Sequence, residues 1–282
     1  MRLALSRKNV WDRLPRVIKR PLGAILGIIP LKYLLGKRFR ATLDWLDEAQ
    51  WWPAERARAY QLEQLRRICT LAYERTPFYR RAFDAVGFEP AGLKSPQDMA
   101  GLPTITQDTV RQHLDEMCAS SPRSPRVDCV STGGTGGRPL EFYINADRSP
   151  TEYAHLIASW QRAGYELGMP MAVLRGRVVA ANGNGLFHEY DALFRHHYYS
   201  HFHMTDGDMG RYLVHIASIG ACFLHVYPSS VAALARFIRR SELEAPSNIR
   251  GIIAESETVY PEQRRMIEET FKCRYFSCYG HS

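Results

Sequence analysis

The sequence of 282 residues has no long hydrophobic run. Its most apolar early stretch, residues 21–31, is about half the length a bilayer crossing needs. The basic start is followed by no small-residue cleavage site, so a secretory signal has no support. Six cysteines (69, 118, 129, 222, 273 and 278) form no C-x-x-C pair and no dense framework. That excludes a disulfide scaffold and predicts reduced thiols in a cytosolic protein. No G-x-S-x-G occurs, so a hydrolase nucleophile elbow has no basis. Acidic residues are nearly missing at the front: residues 1–40 hold eleven cations against Asp12 alone.

What is present is the composition of a folded protein, 45% hydrophobic and 23% charged, with length for one large or two medium domains. The net charge of +8 is concentrated, because the +10 of residues 1–40 leaves −2 for the remainder. A basic segment with an apolar centre can lie on an anionic membrane surface. A solvated arm that packs on its own domain has the same composition, so both readings stand. Nucleic-acid binding is not expected, since no recognised module or aromatic platform accompanies the charge.

The chain is organised around residues 130–143, Val-Ser-Thr-Gly-Gly-Thr-Gly-Gly-Arg-Pro-Leu-Glu-Phe-Tyr. Glycine permits positive φ and close backbone approach, so consecutive N–H groups can form an anion-binding nest. Ser131, Thr132 and Thr135 add hydroxyl donors, and Arg138 adds a planar cation suited to phosphate. A loop wrapping the phosphates of a nucleotide is the functional reading; a plain flexible hairpin would use the same glycines. A Walker loop needs Gly-Lys-Ser/Thr, and here Arg138-Pro139 follows Gly137. A dinucleotide fingerprint needs a helix after its glycines, whereas residues 139–144 read as a strand.

Residues 43–73 are helical by spacing, with Pro53 dividing them, and Thr76-Pro77 ends the run. Shorter helices are expected over 79–86 and from the Thr106 cap to Met117. Beyond the loop, helices over 151–165, 208–218, 228–240 and 261–270 alternate with strands over 171–174, 178–180, 222–226, 249–254 and 273–278. That alternation predicts βαβ units, a parallel or mixed sheet and an α/β fold. The expected division is a leader (1–42), a helical region (43–125) and an α/β region (126–282). Histidines gather at 188, 196, 197, 201 and 203. A metal site on His197 and His201 is conceivable, but residues 198–202 alternate as a strand, so no metal ligand is assigned. Lining an acyl pocket or a structural role is preferred for these residues. Cys273 and Cys278, five apart on one strand, are expected on opposite faces.

The glycine loop resembles the phosphate loop of adenylate-forming enzymes, Thr-Ser-Gly-Ser/Thr-Thr-Gly-x-Pro, with Thr132, Gly134, Thr135, Gly137 and Pro139 matching. Gly133 and Gly136 depart from it, and Gly136 removes a hydroxyl that would face the β- and γ-phosphates. Residues 61–65, 72–80 and 102–106 resemble the opening of phenylacetate–CoA ligase-like proteins, closest to the capsular polysaccharide biosynthesis or coenzyme F390 synthetase-like branch. Residues 227–237 resemble the same family.

The resemblance implies the large N-terminal domain of such an enzyme, incomplete at its C-terminus, and covers about the first two-thirds of a family member. It implies that Ser131, Thr132, Gly133, Gly134, Thr135, Gly136, Gly137 and Arg138 hold ATP phosphates. Ser256, Glu257, Thr258, Tyr279, Gly280 and Ser282 would hold adenine or AMP, although Tyr279-Gly280 also reads as a core tyrosine ended by a turn. Phe142, Tyr143 and His201 are acyl-pocket candidates. The implied cofactors are ATP and Mg²⁺, with the Mg²⁺-binding glutamate expected after Ser282, and the implied partners are a carboxylate and coenzyme A. The expectation is a cytoplasmic ligase, peripheral to the inner membrane face if its leader binds lipid, with little or no turnover from these 282 residues alone. The competing expectation is a truncated, non-catalytic nucleotide- or acyl-binding relative.

Overall fold

The computed structural model describes residues 22–23, 26, 29–121, 124, 127–132, 139–145, 148–176, 179, 187–202 and 204–278. The chain divides into two compact units, one of Met1–Val10 with Asp44–Thr151 and one of Trp11–Leu43 with Glu152–Ser282. The sequence reading put the division at 125/126. It also ended the leader at 42, where helix α2 (Gly36–Ala49), following α1 (Leu31–Leu34), runs on without a break.

In the first unit, α3 (Ala54–Arg75) is stopped by Thr76, which precedes proline and is extended at φ −124°, ψ 120°. Pro77 then opens α4 (Pro77–Asp84), where its missing N–H costs nothing. Trp45, Trp52 and Tyr60 pack in a ring cluster with centroids 5.4–5.8 Å apart. Arg56 lies 4.1 Å over Trp52 and reaches Glu48 at 2.8 Å. Thr106 caps α5 (Gln107–His113) by accepting from the Thr109 N–H. The expected helix to Met117 breaks at Leu114 and continues as a 3₁₀ turn, Asp115–Met117. An antiparallel hairpin follows, β1 (Val127–Ser131) against β2 (Glu141–Asn145).

The second unit is a six-stranded sheet in the order β4-β5-β3-β6-β7-β8. Its strands are β3 (Met171–Leu174), β4 (His188–Asp191), β5 (His196–Tyr199), β6 (Cys222–Val226), β7 (Ile249–Ala254) and β8 (Tyr275–Ser277). All pairings are parallel except β4 with β5. Helix α6 (Arg148–Gln161) precedes β3, while α7 (Asp206–Ser218), α8 (Pro228–Arg240) and α9 (Pro261–Phe271) connect β5 through β8. Strands β3, β6 and β7 therefore read as near-continuous apolar runs, as strands covered on both faces do. Ala172, Leu174, Leu224, Val226, Ile252 and Ala254 point into one core with the buried faces of α7, α8 and α9. On the other face Trp160 of α6 meets His225 at 4.7 Å, and Tyr165 meets Phe223 at 5.6 Å.

Three local expectations need correction. Strand β4 was not expected, because His-Glu-Tyr-Asp has no apolar alternation; it forms at the sheet edge on β5 alone. Asp191 turns the chain there, accepting from the N–H groups of Leu193 and Phe194 at 3.0 and 3.3 Å. Strand β5 ends at Tyr199, so His201 follows the strand and shares no strand face with His197. Strand β8 spans only 275–277, which leaves both Cys273 and Cys278 outside it. The expected strand over 178–180 lies outside the described residues, apart from Val179, which is in no regular element.

Candidate functional site

Strands β3, β6, β7 and β8 run in one direction, and the residues just past their C-terminal ends converge. Open α/β sheets bind ligands at that edge because successive loops diverge there and leave a crevice. Arg175 follows β3, His225 lies near the end of β6 and Glu255 follows β7. Arg175 Nη1 donates to Glu255 Oε2 at 2.6 Å and lies 3.0 Å from His225 Nε2. That same Nε2 is 3.0 Å from Glu255 Oε1, which also accepts from Trp160 Nε1 at 3.3 Å.

These charges are little exposed: the side chains of Glu255, His225 and Arg175 retain 12%, 10% and 23% of their surface. Burial works against an ionised Glu255, but the His225 hydrogen bond and the Arg175 charge outweigh it and hold the carboxyl below its ordinary range. Burial pushes the His225 imidazole down despite Glu255, with Arg175 adding to the effect, so His225 is neutral near pH 7. A neutral ring has one N–H, so Nε2 either accepts from Arg175 or donates to Glu255. The charge pair proper is Arg175–Glu255.

Arg175 reaches further, with Nη2 donating to Ser256 Oγ at 3.2 Å, while its guanidinium lies 5.4 Å over the Tyr227 ring. Its Nε is buried without a hydrogen-bond partner. Ser256 has φ +69°, a left-handed conformation unusual for serine, and its turn carries the chain away from β7. Glu257 faces the start of α8, accepting from the Ser229 N–H at 2.8 Å and its hydroxyl at 2.9 Å. A carboxylate there satisfies an otherwise unpaired helix N–H and complements the helix dipole.

The residues expected from sequence are thus distributed unevenly. Ser256, Glu257 and Thr258 do follow β7 at this edge, all three exposed. His201 packs on Phe202 at 3.8 Å and on Tyr227 at 5.1 Å, beside Arg175. In the first unit, Ser131 ends β1 and Thr132 closes the hairpin neck. The Thr132 N–H donates to Leu140 O at 2.9 Å, and Thr132 Oγ1 accepts from the Leu140 N–H at 3.0 Å. Phe142 and Tyr143 are consecutive on β2 and half-buried, so they point to opposite faces. Gly133, Gly134, Thr135, Gly136, Gly137, Arg138, Tyr279, Gly280 and Ser282 lie outside the described residues.

Sequence reasoning missed Arg175, His225 and Glu255. Arg175 looked like a break between strands and His225 like a strand residue. The available signal was the position of each charged or polar residue at the end of an apolar run.

Comparison with known proteins places this geometry. No family profile matches the chain. The chain is 32% identical over 143 residues to phenylacetate–coenzyme A ligase of Thermus thermophilus, covering 50% of the chain and 32% of that protein. It is 24% identical over 183 residues to protein CapK of Staphylococcus aureus, covering 64% of the chain and 40% of that protein. A crystal structure of 2-hydroxyisobutyryl-CoA ligase in complex with 2-HIB-AMP and CoA superposes with TM-score 0.61 over 80% of the chain and 49% of the ligase, at 23% identity. These matches make the chain similar to phenylacetate–coenzyme A ligases over part of its length, and the structural likeness is one of fold. The matched stretch spans about a third of the curated ligases and half of the solved one. The chain shares the α/β fold of that structure, and its own Arg175–His225–Glu255 cluster stands where its parallel strands end.

Proposed function

We propose that the chain carries the nucleotide-binding part of an adenylate-forming acid–thiol ligase. The observation that carries this reading is the charged, largely buried cluster of Arg175, His225 and Glu255 where four parallel strands end. In the complete reaction a substrate carboxylate oxygen attacks the α-phosphorus of ATP. A P–O bond to pyrophosphate breaks, and an acyl-adenylate results. A thiol then gives up its proton to solvent, the resulting thiolate attacks the acyl carbon, and the C–O bond to AMP breaks so that AMP leaves; by analogy with the named relatives the thiol is coenzyme A. Charge develops on the phosphate oxygens in the first step, so fixed cations and N–H dipoles supply the catalysis.

Residues 131–138 would bind the β- and γ-phosphates, and Ser256, Glu257 and Thr258 would border the adenylate with Tyr279, Gly280 and Ser282. Arg175, positioned by Glu255, would support the turn at Ser256. Phe142, Tyr143 and His201 would contribute to the acyl pocket. For Mg²⁺ the described edge residues do not fit: the Glu255 carboxylate is taken by Arg175, His225 and Trp160, and Glu257 by Ser229.

The test is ATP binding by calorimetry to the 282-residue chain and to Thr135→Ala. Weakened binding in the variant is the expected result, and equal binding removes the phosphate-loop assignment. ATP–pyrophosphate exchange with a panel of carboxylates, run on the full-length protein, then separates a ligase from a nucleotide-binding relative without turnover. The basic residues 1–40 would add peripheral contact with anionic lipid, a part of the proposal that stands or falls separately. Among the described residues no helix is long and apolar enough to cross a membrane.

A further inference from the structure

His188 on β4, His197 on β5 and His215 on α7 come from three separate elements, yet one ring nitrogen from each lies within 4.8 Å of the other two. The register explains the convergence. His188 is paired with Tyr199 and Tyr190 with His197, so His188 and His197 are diagonal neighbours on one face of the antiparallel pair. Helix α7 covers that face, with His215 at 3.9 Å from the His188 ring and 5.3 Å from the His197 ring.

We propose that these three histidines form a binding site for a first-row divalent cation of borderline softness, zinc above all. The donor set is three imidazoles with no carboxylate, which favours zinc, copper, nickel or cobalt over magnesium or calcium. His215 Nδ1 is 2.6 Å from the Tyr199 hydroxyl, which assigns Nε2 as its ligand atom and fixes the ring as metal-bound histidines usually are fixed. His197 Nδ1 is buried and has no hydrogen-bond partner among the described residues. A tetrahedral zinc with bonds of about 2.0–2.1 Å needs nitrogens roughly 3.3 Å apart, so the rings close in by up to about 1.5 Å when the ion binds.

The site's role follows from where it stands. Among the described residues strand β4 is the outer edge of the sheet and pairs only with β5. A cation shared by β4, β5 and α7 clamps that edge. Three protein ligands leave a fourth position for water or another donor. This inference does not depend on nucleotide binding.

The experiment uses the 282-residue chain, stripped with chelator and titrated with Co²⁺ and with Zn²⁺ alone. The expected result is one equivalent of metal, a tetrahedral cobalt spectrum and a raised melting temperature. X-ray absorption of the zinc-loaded wild type should count three imidazoles, a readout that needs no variant to fold. Binding should disappear in folded His197→Ala and His215→Ala and persist in His155→Ala, which alters an exposed helix position. Tyr199→Phe should weaken affinity by about tenfold through loss of the ring's orientation. No stoichiometric binding to the folded wild type, fewer than three imidazoles, or unchanged binding in both alanine variants overturns the site.

Discussion

Glu255 holds together groups from three strands and a helix. Replacing it with glutamine keeps its shape and removes its charge, which leaves the Arg175 side chain, 23% exposed, without a counter-ion among the described residues. Removing one member of a buried pair costs about 3–5 kcal/mol, and the partial exposure of Arg175 lowers the expectation for Glu255→Gln to about 2–3 kcal/mol. Urea denaturation measures it directly; a loss below about 0.5 kcal/mol, the level of an exposed pair, would show the cluster to be solvated.

The same cluster sets a pH dependence. His225 is neutral in the fold but takes up a proton near pH 6.5 when unfolded, so the unfolded chain binds more protons as pH falls. Its contribution to stability is present above about pH 6.5 and is lost below it, at up to about 1.4 kcal/mol per pH unit. Glu255, also lowered, adds a second loss below the ordinary carboxylate range, about pH 4.5. Denaturation midpoints in chelator should therefore be level above pH 7 and fall from pH 6.5 downward. Midpoints that rise on acidification would contradict the assigned direction.

At the scale of elements, the β1–β2 hairpin depends on Thr132 at its neck. Thr132→Val keeps the β-branched shape but removes the acceptor for the Leu140 N–H, a loss of about 1 kcal/mol. Faster amide exchange at Leu140, with the rest of the hairpin unchanged, would register it. In the sheet, Gly251 gives room to Phe223: a Cβ at 251 would stand 3.1 Å from Phe223 Cε1 and 3.4 Å from Cδ1. Gly251→Ala should cost about 1–3 kcal/mol by overpacking, and pairing it with Phe223→Leu should recover part of the loss.

Elements also show what was legible. Strands β3, β6 and β7 are apolar runs with β-branched residues, and helices α7, α8 and α9 have the 3.6-residue period, so both kinds were visible in the sequence. Helices α8 and α9 also begin at Pro228 and Pro261, as proline-opened helices do. Strand β4 was not visible, because an edge strand needs only backbone pairing and its four residues carry no pattern. The end of β5 was misplaced for the converse reason: alternation continued in the sequence through Phe202, past the point where pairing stopped at Tyr199.

At the scale of the whole molecule, charge and nucleotide chemistry make separate predictions. Residues 1–40 carry +10 and the remainder −2. If the leader binds anionic lipid, removing residues 1–40 should abolish co-sedimentation with vesicles rich in phosphatidylserine, and salt should do the same to the intact chain. Equal sedimentation of both forms would leave the leader a packing role.

The sequence by itself determined the α/β class, strands β3, β6 and β7 with the helices α7, α8 and α9 around them, the glycine-rich stretch before β2 and the likeness to adenylate-forming ligases. Those rest on periodicity, on glycine and proline chemistry and on short motifs, all of which act over a few neighbouring residues. Only the tertiary structure decided that Arg175, His225 and Glu255 share one cluster, that Glu257 faces the start of α8 and that His188, His197 and His215 converge. Strand order and register bring together residues 80 positions apart, as Arg175 and Glu255 are. That register is fixed by burying both faces of a parallel sheet at once, a condition no local stretch of the chain can express.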